Sequence, residues 1–382
     1  METMTKEQEA AWALEVAQKI HAKEETVAAR NCGRIPYTSK NGRFDDWSDR
    51  YSWWTNGFWA GQLWLLYHAF GGDVLKKSAE AVENTLDKNL MDAAGMDHDS
   101  GFKWILTSVA NYAITGSAAS KNRAYLAATD LAGRFNPAGH FIRAWNDADD
   151  GSKAGWAIID CMMNLPLLYW ASSMQKDPRY KQIAMLHADM ATTCFVREDG
   201  SVAHIATFDP ETGAFLKTLG GQGKQEGSSW TRGQSWALYG FSMSYRHTKK
   251  PLYLATAEKV ARYCLSQIPE SGIIPVDFQQ EPGLDWEDST AAAIFACGFL
   301  ELEQWTADKA LSKCCHQAAL LLVRTLTEKR CVFDEAIDHL VENGSVAYNG
   351  NEHNMPIIYA DYYLTEALLR LCGKALYFAG CQ

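Results

Sequence analysis

Apolar positions recur every three or four residues along most of the chain, and they do so in two ways. Six segments carry an apolar stripe opposite a charged or polar face: 5–30, 73–90, 120–135, 178–195, 250–267 and 306–328. That pattern predicts amphipathic helices resting on a core. Six others are apolar almost all round: 54–69, 102–115, 156–173, 233–246, 289–303 and 355–372. A helix without a polar face has to be covered on every side. The two kinds take turns along the chain, and strand-like alternation is sparse. An inner ring of six buried helices wrapped by an outer ring of six satisfies the pattern. The expected fold is therefore all-α, an (α/α)6 barrel built from divergent helix pairs. No Pro/Gly/Ser-rich linker interrupts it, so one domain over residues 1–382 is expected.

Polar and aromatic clusters precede the inner segments: DDWSDRYSWWTNGFW, MDHDSGF, GSKAGW, GSSWTRGQSW, GLDWEDST and NGNEHNMP. In an alternating barrel all six lie at one end, which becomes a cup lined by Trp, Asp, His and Arg. The helix N-termini there favour a carboxylate ligand.

Within that frame a few residues carry candidate chemistry. Asp160 sits in the apolar run GWAIIDCMMNLPLLYW, one turn inside the third inner helix, with Asn164 at i+4. Burial favours the acid form of a carboxyl, which suits a general acid/base near neutral pH. A satisfied buried Asp–Asn pair explains the same residues. Asp99, in DHDSGF, starts the second inner helix. Asp is a favoured N-cap, and the residues alone point to a cap; the functional alternative is a second carboxylate facing Asp160. Arg232 lies between Trp230 and Trp236 in WTRGQSW. It is either a bidentate grip for a carboxylate beside stacking indoles or an aromatic-capped helix start with a surface arginine. His204 and Gln222 offer neutral hydrogen bonds, although a lone histidine is more often structural. The LGGQG loop around Gln222 lacks P-loop spacing.

Composition narrows the partners. Hydrophobic residues make up 47% and charged residues 21%, enough for a large core. Aromatics reach 12%, with 14 Trp, which suits sugar stacking as well as packing. The net charge is −10 and no basic stripe is present, which argues against nucleic acid. The longest apolar run, FWAGQLWLLYHAF, is too short to cross a bilayer. Ten cysteines form no CxxC pair and no zinc-ligand spacing, which suits small core residues. The start METMTKEQEAAW lacks a secretion signature, and a reduced, cytoplasmic protein is expected.

Six blocks in order then match a pattern. WWTNGFWAGQLWLLY (53–67), DHDSGF (97–102), AWNDADD (144–150), IIDCMMNLPLLYWAS (158–172), WTRGQSWALYGF (230–241) and IIYADYY (357–363) resemble the unsaturated glucuronyl hydrolases, glycoside hydrolase family 88. The resemblance implies the same (α/α)6 barrel and no metal or cofactor. It implies a substrate left by polysaccharide lyases: an oligosaccharide with a 4-deoxy-hex-4-enuronic residue at its non-reducing end. Asp160 matches the acid/base, which protonates C4 of the double bond and takes a proton from the water adding at C5. The hemiketal then rearranges and releases the remaining sugar. Asp99 matches the second aspartate of the family. Trp53, Trp145 and Trp236 would form aromatic walls; His204, Gln222 and Arg232 would contact the uronate or its neighbour; His98 and Phe102 would shape the pocket. The stretch Tyr348–Leu369 has neither Lys nor Arg, which argues against a strong preference for sulfated sugars. A monomer or homodimer is expected. The alternatives are an unsaturated rhamnogalacturonyl or galacturonyl hydrolase acting on pectin fragments, a sugar 2-epimerase on the same barrel, and a sugar-binding barrel without catalysis.

Overall fold

The computed structural model describes residues 4–146 and 151–380. Residues 147–150 of the AWNDADD block, and Met1–Thr3 of the N-terminal stretch, lie outside the described residues. The helices in chain order are α1 (Lys6–Arg30), α2 (Phe58–Phe70), α3 (Asp73–Leu90), α4 (Ser100–Trp104), α5 (Ala110–Thr115), α6 (Ala118–Gly133), α7 (Leu165–Gln175), α8 (Pro178–Cys194), α9 (Thr231–Thr248), α10 (Pro251–Gln267), α11 (Ser289–Glu303), α12 (Lys309–Lys329) and α13 (Ile358–Leu371). A π-helical turn, Ile105–Val109, joins α4 to α5, so the pair forms one inner helix.

The starts follow local chemistry. Thr5 and Gln8 close a capping box on α1, Asp177 caps α8 ahead of Pro178, and Asp308 caps α12. Left-handed residues Gly116, Lys176 and Lys249 end inner helices.

The inner ring runs α2, α4–α5, α7, α9, α11, α13 and back to α2, each packed on the next. The outer helices lie over it: α3 on α2, α8 on α7, α10 on α9, α12 on α11 and α1 on α13, with α6 over the π turn. His316 of α12 closes the outer ring, its Nε2 lying 2.8 Å from Glu9 of α1. The barrel axis is filled rather than open. Phe58, Phe102, Trp236, Tyr362 and Tyr363 meet there, with ring centroids 5.1–5.7 Å apart. One hydrophobic cluster extends from Ala13 to Ala379. No helix among the described residues is long and apolar enough to cross a membrane.

Two features depart from the all-helical expectation. Among the described residues seven short strands occupy the loops: β1 (Ser39–Lys40) with β2 (Arg43–Phe44), β3 (Phe135–Asn136) with β4 (Phe141–Ile142), and an antiparallel sheet of β5 (Trp156–Ile158), β6 (Ile205–Phe208) and β7 (Phe215–Leu219). The third inner helix also starts later than its apolar run. Residues 156–158 are strand, Ile159–Met163 form a 3-10 turn, and α7 begins only at Leu165. Pro166 supplies the reason. Proline is well placed in the first turn of a helix but removes a bond further in. The β-branched pair Ile158–Ile159 upstream meets β6 instead.

Candidate active site

The three-stranded sheet delivers three polar groups to one edge. Ile158, Ile205 and Leu219 are aligned across β5, β6 and β7. Asp160 follows β5, His204 precedes β6, and Gln222 lies three residues beyond β7. The Ile159 amide donates to the His204 carbonyl at 3.1 Å, locking this edge. Asp160 therefore sits on the 3-10 turn and not inside the helix, which corrects the sequence reading.

Burial raises the Asp160 carboxyl to about 7, against the opposing pull of the Arg232 charge, of its own backbone hydrogen bond and of the nearby Trp236 indole. Its Oδ2 completes no hydrogen bond, and the side chain keeps 14% exposure. His204 Nε2 lies 3.6 Å from that oxygen. The Gln222 amide N–H donates to His204 Nδ1 at 2.9 Å, so the ring proton belongs on Nε2, facing Asp160. Burial, with the Arg232 charge adding to it, lowers the His204 pKa to about 3 and keeps the ring neutral. Gly221 makes this approach possible. Its φ is +57°, and a Cβ there would lie 1.9 Å from His204 Nδ1.

Asp99 occupies the N-cap position of α4, yet its side chain makes no capping bond. The cap expected from the sequence is not formed. The carboxyl instead accepts from Asn164 Nδ2 at 3.1 Å and lies 3.4 Å from His98 Nε2. Burial, together with Asp97 and Asp160, pushes it well above the ordinary carboxylate range. Asp99 opens into a cleft of about 410 Å³ whose walls include Trp53, Trp54, Trp145 and Lys153. Lys153 lies over the Trp145 and Trp156 rings at 5.6 and 5.8 Å.

The remaining expected site residues divide into those that face the cleft and those behind it. Trp53 and Trp145 line it. Trp236 is fully buried against Phe102 and Tyr363, so it is not an open wall. His98 and Phe102 are likewise buried. Gln222 turns its side-chain amide onto the Val346 carbonyl at 3.0 Å.

Arg232 departs furthest from the surface grip or surface arginine foreseen. It is 1% exposed, and both of its Nη atoms are committed to protein oxygens. Nη1 bonds Asp288 Oδ2 at 2.5 Å and the Ser345 carbonyl at 2.6 Å; Nη2 bonds the Val346 carbonyl at 2.5 Å. Trp230 and Tyr359 pack over the guanidinium at 4.4 and 5.6 Å. Arg232 thus ties the starts of α9, α11 and α13 to the 345–346 segment and sets the potential at Asp160.

Sequence reasoning missed Asp288. It caps α11, its Oδ1 accepting from the Thr290 and Ala291 amides. Nothing local marks its second oxygen as the partner of Arg232. Buried Lys103, bonded to Asn89 and the Ser52 carbonyl and 3.6 Å from Asp97, was also missed. Among the described residues no group of three or more His, Cys, Asp or Glu side chains is arranged to hold a metal ion.

A model of Glycosyl Hydrolase Family 88 matches residues 27–251. The chain is 35% identical to an unsaturated glucuronyl hydrolase of Bacillus sp. (strain GL1), over 83% of this chain and 86% of that one. It is 33% identical to an unsaturated chondroitin disaccharide hydrolase of Streptococcus pyogenes serotype M1, over 83% and 80% of the two chains. The fold superposes on the crystal structure of the Bacillus sp. GL1 unsaturated glucuronyl hydrolase with a TM-score of 0.87 at 32% identity, covering 95% of this chain and 96% of that one.

Proposed function

The chain belongs to glycosyl hydrolase family 88, and from that premise we propose that it releases the unsaturated uronic residue from lyase-generated glycosaminoglycan-type oligosaccharides, with Asp160 as acid/base and Asp99 as its partner. The observation that carries the assignment of Asp160 is a carboxyl raised to about 7, with one unbonded oxygen, whose charge acts on Asp99, a second carboxyl that lines a tryptophan-walled cleft. A group with that pKa holds a proton to give at neutral pH and is basic enough to take one back.

The reaction is hydration of a vinyl ether. Asp160 gives its proton to C4, and charge builds on C5 and the ring oxygen. Water adds at C5 and returns a proton to the Asp160 carboxylate. The hemiketal opens and expels the remaining sugar. Attack occurs at C5 and not at the anomeric carbon, so the rule relating carboxylate separation to anomeric stereochemistry does not apply. Neutral His204 offers an N–H towards Asp160 without adding a charge, and Trp53 and Trp145 suit the faces of the bound sugars.

The test is a panel of lyase-derived unsaturated disaccharides from chondroitin, hyaluronan, heparin, gellan and pectin, followed by loss of the ultraviolet absorbance of the double bond. Turnover of uronate disaccharides that fails in Asp160→Asn by ~10²–10⁴-fold is expected. Undiminished turnover in that variant rejects the role. In heavy water one deuterium should appear at C4 of the product. The lack of Lys and Arg through Tyr348–Leu369 supports a preference for unsulfated fragments. Faster turnover of a sulfated disaccharide than of its unsulfated twin would overturn that preference.

A further inference from the structure

We propose that Asn164 is the positioning residue for Asp99: its side-chain amide caps α4 from a neighbouring element and thereby releases the Asp99 carboxyl, which occupies the cap position, to serve the cleft. This rests on the reading of the site given above. The geometry is specific. Asn164 Oδ1 accepts the Phe102 N–H at 2.8 Å, the third amide of α4 and the one an N-cap side chain would ordinarily satisfy. Its Nδ2 donates to Asp99 Oδ1 at 3.1 Å and lies 3.4 Å from the Asp160 carbonyl. One fully buried amide therefore joins α4, which carries Asp99, to the 3-10 turn that carries Asp160.

The neighbouring sequence accommodates this contact. A Cβ on Gly101 would stand 2.4 Å from Asn164 Cα and 2.6 Å from its Oδ1, so a side chain there would push the amide away. Asp99 itself makes no capping bond. Without Asn164 the free amides of α4 would compete for the Asp99 carboxylate and draw it back towards its own helix. The Asn164 N–H also favours the charged form of Asp99, opposing the burial that raises it.

Asp and Asn cap helices about equally well, which separates a cap from a positioning residue. Asn164→Asp keeps the acceptor for Phe102 and the shape, but loses the donor to Asp99. We expect it to fold, with kcat at pH 7 lowered roughly 10- to 100-fold and KM changed less than about threefold. Activity should recover in part on acidification, because protonating the new carboxyl restores a donor. The second measurement needs no substrate. The Asp99 carboxyl is followed by ¹³C NMR in the resting enzyme, identified by its loss in Asp99→Asn. In Asn164→Ser, whose hydroxyl is one bond too short to reach, its midpoint should move down, because the freed α4 amides then bond the charged Asp99. Wild-type kcat and pH profile in Asn164→Asp, or an unmoved Asp99 titration in Asn164→Ser, overturns the inference. Failure of the wild-type enzyme to consume any unsaturated uronate would instead sink the proposed function and leave the titration result to decide on Asn164.

Discussion

Asp160 holds its proton at the expense of stability. Its carboxyl is raised in the folded state, so the native protein binds a proton between about pH 4 and 7 that the unfolded chain has released. Stability contributed by that proton is present at low pH, declines as the pH rises from about 4 to about 7, and is gone above. A shift from 3.8 to about 7 corresponds to about 4 kcal/mol as an upper bound. Asp160→Asn removes a buried charge that exists only above pH 7. It should therefore melt higher than wild type at pH 8, with the difference shrinking towards pH 4 in calorimetry. A constant difference across that range would place the carboxyl in a solvated environment. In the proposed role of Asp160 the same ionisation sets the alkaline limb of the rate: turnover should fall as the pH passes about 7, since a deprotonated Asp160 has nothing to give to C4.

At the scale of elements, the cluster of Arg232, Asp288, Ser345 and Val346, with Tyr359 packed on the guanidinium, joins the starts of α9, α11 and α13. Arg232→Ala leaves Asp288 buried without its cation, a loss typically worth ~3–5 kcal/mol. A drop of many degrees in melting temperature is expected, accompanied by a changed pH profile, because the cation also restrains the Asp160 pKa. Arg232→Lys should recover little, since one ammonium cannot bond oxygens on several sides as a planar guanidinium does. Unchanged melting in Arg232→Ala, with KM alone raised, would restore the substrate-grip reading. The α4–Asn164 contact belongs to the same scale. Gly101→Ala should lower both stability and kcat because its Cβ would collide with the Asn164 backbone.

The whole molecule depends on closing two rings. The outer ring is sealed where His316 lies between Glu9 and Glu303, 2.8 and 3.0 Å from their carboxylates. Hydrogen bonds to Glu303 and Glu9 raise the His316 pKa. Its stabilising contribution is therefore complete below about pH 6.5 and lost as the pH rises through the elevated value. His316→Gln should cost stability of up to about 1 kcal/mol for a pair on a partly exposed seam, so that the melting temperature drops most near pH 6 and least near pH 9. The two-ring plan was legible in the chain, because an all-round apolar helix such as 289–303 and a striped one such as 178–195 have only one way to share a core. Chemistry was legible only where a residue contradicted its surroundings. Asp160 in an apolar run announced itself; Asp288 did not, because a cap explains an aspartate before Ser-Thr completely.

The sequence by itself determined the alternation of buried and striped helices, the end at which polar clusters gather, and the presence of two aspartates there, since hydropathy and cap chemistry are local properties of the chain. The tertiary structure alone decided which partner each polar group takes. Asn164 is four residues from Asp160 yet gives its amide to Asp99 and Phe102, and Arg232 is closed off by Asp288 and the carbonyls of Ser345 and Val346. Those choices are made by groups distant in sequence that burial forces to find one another, and no local pattern records them.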